Sequence, residues 1–329
     1  NWDFSEELVD LYIACTNNLP LEYIEVGYRN PKISGYYGKY FFCNLGVLDK
    51  FKRNSNKKIS IMLNQKSITK DNVVSILEPS KNYVDLVRIA LNPKSIEEII
   101  PIANKIKELD IDLALNVMHA SKWCDDSSFI SSLNELGGIC KYLYFVDSYG
   151  SMFPEDVTNI SKNIDPNIQT GFHGHNNMEM GLSNTLSALD SGVKIVDSTI
   201  TGMGRGAGNL ATELLLTVLN KKKNLEVDFD SLSEIVSTFT SLKKKHEWGT
   251  SLPYMFSGVN SFPQKKVMDW VTKRYYSFGT IIKTLKTGET YDNTFKDFNA
   301  EQKGKVLLVG GGKSVEEHKD SILTFLKEN

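Results

Sequence analysis

Thr170-Gly171-Phe172-His173-Gly174-His175-Asn176-Asn177 is the stretch on which the reading of this chain turns. In an extended segment alternate side chains share a face, so His173 and His175 project side by side while Phe172 and Gly174 face the other way. Two imidazoles converging on one point make a chelating geometry for a divalent cation. Imidazole suits zinc, iron, nickel and manganese alike, so the pair points to a metal without choosing it. A bare His-x-His also suits two polar residues in a loop mouth. Here Gly171 and Gly174 clear space beside the rings, and Asn176-Asn177 opens a run with Leu182, Leu186, Leu189 and Val193 at helical spacing. The histidines are therefore expected at the C-terminal end of a strand that turns into a helix. In parallel α/β sheets that end carries the chemistry.

Outward from this stretch, strand and helix patterns alternate. Strands are expected at residues 21–27, 58–63, 83–90, 111–117, 142–146, 168–172 and 194–200. Between them lie helical patterns, such as the stripe of Ile96, Ile99, Ile100, Ala103 and Ile106, and a helix that Pro154 opens. The first element is a helix with Ser5 as its cap, and no strand precedes it. Strands joined by helices imply right-handed crossovers and a parallel sheet. The expected fold is α/β, a (β/α)8 TIM barrel over residues 1–220 that lacks its first strand, with a doubly wound open sheet as the competitor. The chain starts at Asn1 rather than Met, which fits an N-terminal piece lying outside it.

The 329 residues are 41% hydrophobic and 24% charged, with a formal net charge of -2. That balance gives no electrostatic case for nucleic acid or an anionic membrane; Lys221-Lys222-Lys223 and Lys243-Lys244-Lys245 read as solvated helix faces. Cys15, Cys43, Cys124 and Cys140 are too scattered for a zinc ribbon or disulfide framework, and a reducing, cytoplasmic interior is expected. No apolar run reaches the roughly 18 residues of a spanning helix, and no signal peptide opens the chain.

At the strand ends a barrel should carry polar residues that a core does not need. They are Glu25 with Tyr28 and Arg29, Asn64 with Gln65, Arg88, Asn116 with His119, Asp147 with Ser148, His173 with His175, and Asp197 with Thr199. Arg88 interrupts an apolar strand, and a buried guanidinium must meet an anion; an ion pair with Asp85, Glu25 or Asp147 is the structural alternative to a catalytic role. Asp147 and Asp197 suit partners that orient the imidazoles, or caps. After Asp197-Ser198-Thr199-Ile200 the glycines 202, 204, 206 and 208 alternate, which misses the strict dinucleotide fingerprint. A tight loop bringing Arg205 and Asn209 towards the histidines is preferred.

His173-Gly174-His175-Asn176-Asn177, followed by Asp197, Thr199, the glycine run, Asn209 and Glu213, resembles the signature of the pyruvate-carboxyltransferase-like (HMG-CoA lyase-like) metallolyases. Glu25-Val26-Gly27-Tyr28-Arg29, Asn116-Val117-Met118 and Val146-Asp147-Ser148 with Gly150 look most similar to the 4-hydroxy-2-oxovalerate aldolase-like branch. The resemblance covers residues 1 to about 270. It implies a barrel enzyme that uses Mn2+ or Mg2+ to cleave or form a C–C bond next to a 2-oxoacid, without a Schiff-base lysine. The metal ligands implied here are His173 and His175, completed by Asn209. The family's Asp-x-Thr-Leu-Arg-Asp-Gly motif on the first strand is absent. Arg88, His119 and Tyr254 are the expected catalytic residues, the last two as proton acceptors. A homo-oligomer is expected, with no nucleic-acid or membrane partner. A Claisen-type acyltransferase of the isopropylmalate synthase type and a non-catalytic scaffold are the alternatives.

Beyond the barrel, residues 221–285 are expected as a helical extension capping its mouth, with 248–258 an aromatic loop, and 286–303 as a linker. Residues 304–329 resemble the truncated start of a Rossmann-like unit. There Lys305-Val306-Leu307-Leu308-Val309 leads into Gly310-Gly311-Gly312-Lys313-Ser314, which lacks the first P-loop glycine.

Overall fold

The computed structural model describes residues 2–288 and 310–328. The chain forms two compact units, Asn1–Phe278 and Gly279–Asn329. The first begins with α1 (Glu6–Asn18), whose N-cap Ser5 accepts from the Leu8 amide, and continues with β1 (Tyr23–Tyr28), α2 (Leu45–Asn54) and β2 (Lys58–Asn64). It goes on through α3 (Val73–Leu77), β3 (Leu86–Leu91), α4 (Ile96–Lys107), β4 (Asp112–Val117), α5 (Ser127–Leu133) and β5 (Tyr142–Asp147). Next come α6 (Pro154–Asn163), β6 (Thr170–Gly174), α7 (Gly181–Asp190), β7 (Ile195–Val196) and α8 (Thr212–Lys223). The extension consists of α9 (Phe229–His246), α10 (Leu252–Val259) and α11 (Gln264–Val271).

All seven strands are parallel and pair in chain order, and no ladder joins β7 to β1 among the described residues. Closure of an eight-stranded barrel places the first strand at that seam. The sheet is strongly curled: the rings of Tyr23 on β1 and Tyr142 on β5 meet at 6.4 Å, although three strands lie between their own. Alternation then divides every strand between two environments. Outward residues such as Ile59, Ile61, Val87, Ile89, Leu113, Leu115, Phe145 and Phe172 pack with the helices into the main core. Leu86, Ala114, Tyr142, Tyr144 and Val146 form a separate cluster on the concave face, the barrel interior. The molecule is thus a TIM barrel lacking one strand, as expected from the sequence.

Two elements differ from expectation. The seventh strand is only two residues long, with Thr199 continuing as a single bridge to Ala211. Residues 252–259, expected in a loop, form α10, which Pro253 starts from a first-turn position where no backbone donor is needed. In the second unit, α12 (Phe278–Thr287, whose first residue belongs to the first unit), α13 (Ser314–Glu317) and α14 (Lys319–Glu328) are described. α14 carries the expected Ile322, Leu323 and Leu326, whereas the expected strand at 305–309 and most of the linker at 286–303 lie outside the described residues. No helix among those residues is long and apolar enough to cross a membrane.

Candidate active site

At the C-terminal end of β6, His173 pairs with Val146 of β5 on the concave face. His175 follows it past a glycine, and the two rings stand nearly perpendicular, at 86°, with centroids 4.9 Å apart. Each ring is fixed through its Nδ1. For His173 the partner is the Asp197 carboxylate; for His175 it is the Asp147 carbonyl oxygen, at 2.8 Å. A carbonyl only accepts, so His175 carries its proton on Nδ1 and presents a bare Nε2. Burial, then the neighbouring His173, lowers the His175 pKa to about 4, which keeps this imidazole neutral.

The glycine-rich segment folds back on this strand end. Asn209 forms an antiparallel bridge with His175, and the Asn176 amide donates to the Gly208 carbonyl at 3.0 Å. The Asn209 side-chain amide donates to Met203 O at 2.9 Å, leaving its oxygen as the open group. The extension holds this loop from above. Trp248 Nε1 donates to Thr201 O at 3.0 Å, Thr250 Oγ1 to Asn177 O at 2.6 Å, and Asn177 Nδ2 to Tyr254 O at 3.2 Å. Gly206, at φ +59°, leaves room for the Tyr254 ring, since a Cβ there would sit 2.8 Å from it.

Below the histidines, Arg88 projects from β3 into the barrel and is 7% exposed. Its guanidinium grips Glu25 on β1 at 2.8 Å and Asp197 beyond β7, and lies 4.7 Å over the Tyr144 ring. Of the three partners named from sequence, Glu25 is realised; Asp85 instead receives the Ile59 amide and Lys52, and Asp147 the Ser151 and Met152 amides. A continuous charged chain results, Glu25 to Arg88 to Asp197 to His173. Burial raises the Asp197 pKa, but His173 and Arg88 outweigh it and hold the carboxyl well below the usual carboxylate range. Two carboxylates face one guanidinium, so the cluster carries excess negative charge beside His173.

His119 is held by other contacts. His119, in a left-handed conformation at φ 62°, stacks on Tyr149 at 5.1 Å and receives Ser148 Oγ on its backbone side, its amide donating at 2.8 Å. No hydrogen bond or ring contact joins it to the histidine pair among the described residues. Lys66 and Lys194, the lysines nearest strand ends, are exposed. Sequence reasoning missed the link between Arg88 and Asp197; the two are 109 positions apart, and only the curl of the sheet brings them together.

The HMGL-like family model matches residues 70–239. Oxaloacetate decarboxylase of Mycobacterium tuberculosis is 25% identical over 194 residues, 57% of this chain and 58% of that protein. A 4-hydroxy-2-oxovalerate aldolase of Chloroflexus aurantiacus is 44% identical over 81 residues, 24% of each chain. The alignments thus span between a quarter and somewhat over half of these relatives' length. A crystal structure of the N-terminal domain of a candidate aldolase from Bacteroides vulgatus superposes with a TM-score of 0.82 at 46% identity, covering 86% of this chain and 94% of that one. The matched segment holds Arg88, both histidines, Asp197 and Asn209 and extends over more than half of the sequence: the chain belongs to the HMGL-like family.

Proposed function

We propose that this chain is the barrel of a divalent-metal-dependent carbon–carbon lyase that cleaves or forms a bond next to a 2-oxoacid, in the manner of a 4-hydroxy-2-oxovalerate aldolase. The observation that supports it most is the histidine pair: both Nδ1 atoms are committed, so two Nε2 atoms are left as open donors on neighbouring rings. Asn209, bridged to His175, adds an amide oxygen. Imidazole and amide-oxygen donors beside acidic side chains fit a divalent cation, and the family resemblance supports Mn2+ or Mg2+. Among the described residues no three His, Cys, Asp or Glu side chains converge as a complete site; His173, His175 and Asn209 are the share assigned to this chain. When bound, the cation supplies Lewis acidity toward the substrate's keto oxygen.

The chain's own residues bind and orient. Asp197 holds the ring of His173, and Arg88 holds Asp197. Breaking the bond requires removal of the substrate hydroxyl proton. Burial and Lys122 lower the His119 pKa, leaving a neutral imidazole able to accept it, whereas burial raises the Tyr254 hydroxyl and keeps it a donor. His119 is therefore the proposed acceptor and Tyr254 a hydrogen-bond donor above the mouth.

The test is metal content together with Mn2+- or Mg2+-dependent pyruvate release from 4-hydroxy-2-oxoacids by the full-length protein. His173→Ala and His175→Ala are each expected to lower metal affinity and turnover at least a hundredfold; unchanged metal binding in both variants sinks the reading. The alignment to a decarboxylase favours oxaloacetate as a second substrate, since its decarboxylation breaks the same C3–C4 bond and also leaves pyruvate enolate.

A further inference from the structure

Along β1 the pairing with β2 runs Ile24↔Ile59 and Glu25↔Ser60, then jumps to Gly27↔Ile61 and Tyr28↔Met62. Val26 is the extra residue of a β-bulge. Plain alternation puts Tyr28 with Ile24 and Val26 on the outward face. The bulge instead turns it onto the concave face beside Met62, whose other neighbour is Arg88. Gly27 makes this possible: at φ +153° a Cβ would lie 2.2 Å from the Tyr40 carbonyl oxygen. Bulges of this kind re-aim side chains next to active sites. Arg29, the next residue, is turned away, its guanidinium donating to the carbonyls of Ile76 at 2.7 Å and Cys43 at 2.9 Å.

The Tyr28 ring is held on two sides, edge-on by Trp2 at 5.1 Å and by stacking on Phe41 at 6.3 Å. Its hydroxyl makes no hydrogen bond among the described residues. Burial and then Glu25 raise its pKa, while Arg205 and Arg88 pull against them, so the group stays a neutral donor within the field of the charged cluster. A ring fixed by packing, with a hydroxyl free of protein partners among the described residues and on the same face as Glu25 and Arg88, is preorganised to meet an oxygen.

We propose that Tyr28 is a substrate-binding residue of the barrel site, its hydroxyl donating a hydrogen bond to a carboxylate oxygen of the bound 2-oxoacid. The assignment rests on the lyase reading. The test compares the full-length protein with Tyr28→Phe in the presence of Mn2+. It measures kcat and KM for pyruvate release from a 4-hydroxy-2-oxoacid, the Kd for oxalate by calorimetry, and the Tm. Phenylalanine keeps both ring contacts, so Tm is expected to stay put while kcat/KM falls and oxalate weakens about ten- to a hundredfold, the worth of a hydrogen bond to a charged oxygen. Phe41→Leu, which loosens the same ring cluster but leaves the hydroxyl, is the packing control and is expected to lose less than threefold. Oxalate affinity of Tyr28→Phe within twofold of wild type, or an equal loss in Phe41→Leu, overturns the assignment. If wild type binds oxalate but cleaves no oxoacid, the lyase reading fails alone and the oxalate comparison still decides Tyr28. If wild type neither binds nor cleaves, both fall.

Discussion

On the outward face of the sheet, Ile59, Ile61, Val87, Ile89, Leu115, Phe145 and Phe172 are fully buried and uniformly apolar. At intervening positions on the concave face stand Ser60, Arg88, Asn116, Tyr144 and His173. The outward face is shielded from water and coheres by packing, whereas the concave face keeps partly exposed groups such as Glu25 and Asp197 and coheres by pairing of charge. The outward residues need only shape and apolarity, and many substitutions of similar volume would serve. The inward residues need particular partners, because a buried charge without one is far costlier than a misfit methyl group. Several inward polar atoms, among them Ser60 Oγ, Asn116 Oδ1 and Arg88 Nε, have no hydrogen-bond partner among the described residues, whereas the outward face carries no polar side chain of its own in strands β2 and β3. Buried polar atoms of this kind suit ordered water or a bound ligand better than they suit packing.

The contrast breaks first if packing on the outward face proves unimportant. Phe145 is 1% exposed and its ring lies 5.3 Å from that of Phe172. Phe145→Ala is expected to cost about 3–5 kcal/mol by urea denaturation, through lost transfer energy and a cavity. A loss below about 1 kcal/mol would mean that the sheet–helix interface is not the main core.

Arg88→Met probes the other face. It leaves Glu25 and Asp197 without their shared cation, and removing one partner of a buried pair costs about 3–5 kcal/mol. Side-chain exposures of 35% for Glu25 and 22% for Asp197 place the expected loss at the lower end, about 3 kcal/mol. Adding Asp197→Asn to Arg88→Met should recover part of that loss, because the stranded charge is gone; additive losses in the double-mutant cycle would show that the two do not interact.

These same two faces explain what was legible in the sequence. The outward face announces itself through apolar alternation and helical stripes, so the order of strands and helices and the place of the histidine strand follow from local pattern. His173 and His175 stand out because a single glycine separates them, whereas Asn209 lies beyond α7 and β7 and stands out only as the residue that closes the glycine run. The concave face depends on which strands curl towards which. Glu25 is one of three anions expected beside Arg88, whereas Asp197 is expected to orient the imidazoles or to act as a cap, since nothing local ties it to a residue 109 positions away. The bulge in β1 left no local mark beyond Gly27, because a bulge is a property of two strands in register. The helix at 252–259 did carry a signal in Pro253, outweighed by its neighbouring Gly, Ser and aromatic residues.

The smallest expected effect lies at the top of the concave face, where a buried carboxyl and a half-buried imidazole titrate in opposite directions. Burial raises Asp147 from 3.8 to about 6, although the Ser151 and Met152 amides and His173 pull it down; Asp156 pushes with burial. Between those values the unfolded chain has released a proton that the folded chain keeps, so this group makes stability fall as pH rises from about 4 to 6. Burial and His173 lower His175 from 6.5 to about 4, against the Asp147 carbonyl and Asp197. Here the unfolded chain binds a proton that the folded chain refuses, so stability falls as pH drops through nearly the same window. The two slopes oppose each other, and wild-type stability in EDTA should change by about 1 kcal/mol or less between pH 4 and 6. Asp147→Asn removes one slope and should make stability rise with pH over that interval; His175→Ala should make it fall. Urea unfolding at several pH values distinguishes these outcomes, and parallel profiles for wild type and Asp147→Asn would show that the carboxyl of Asp147 is not buried as the strand end places it.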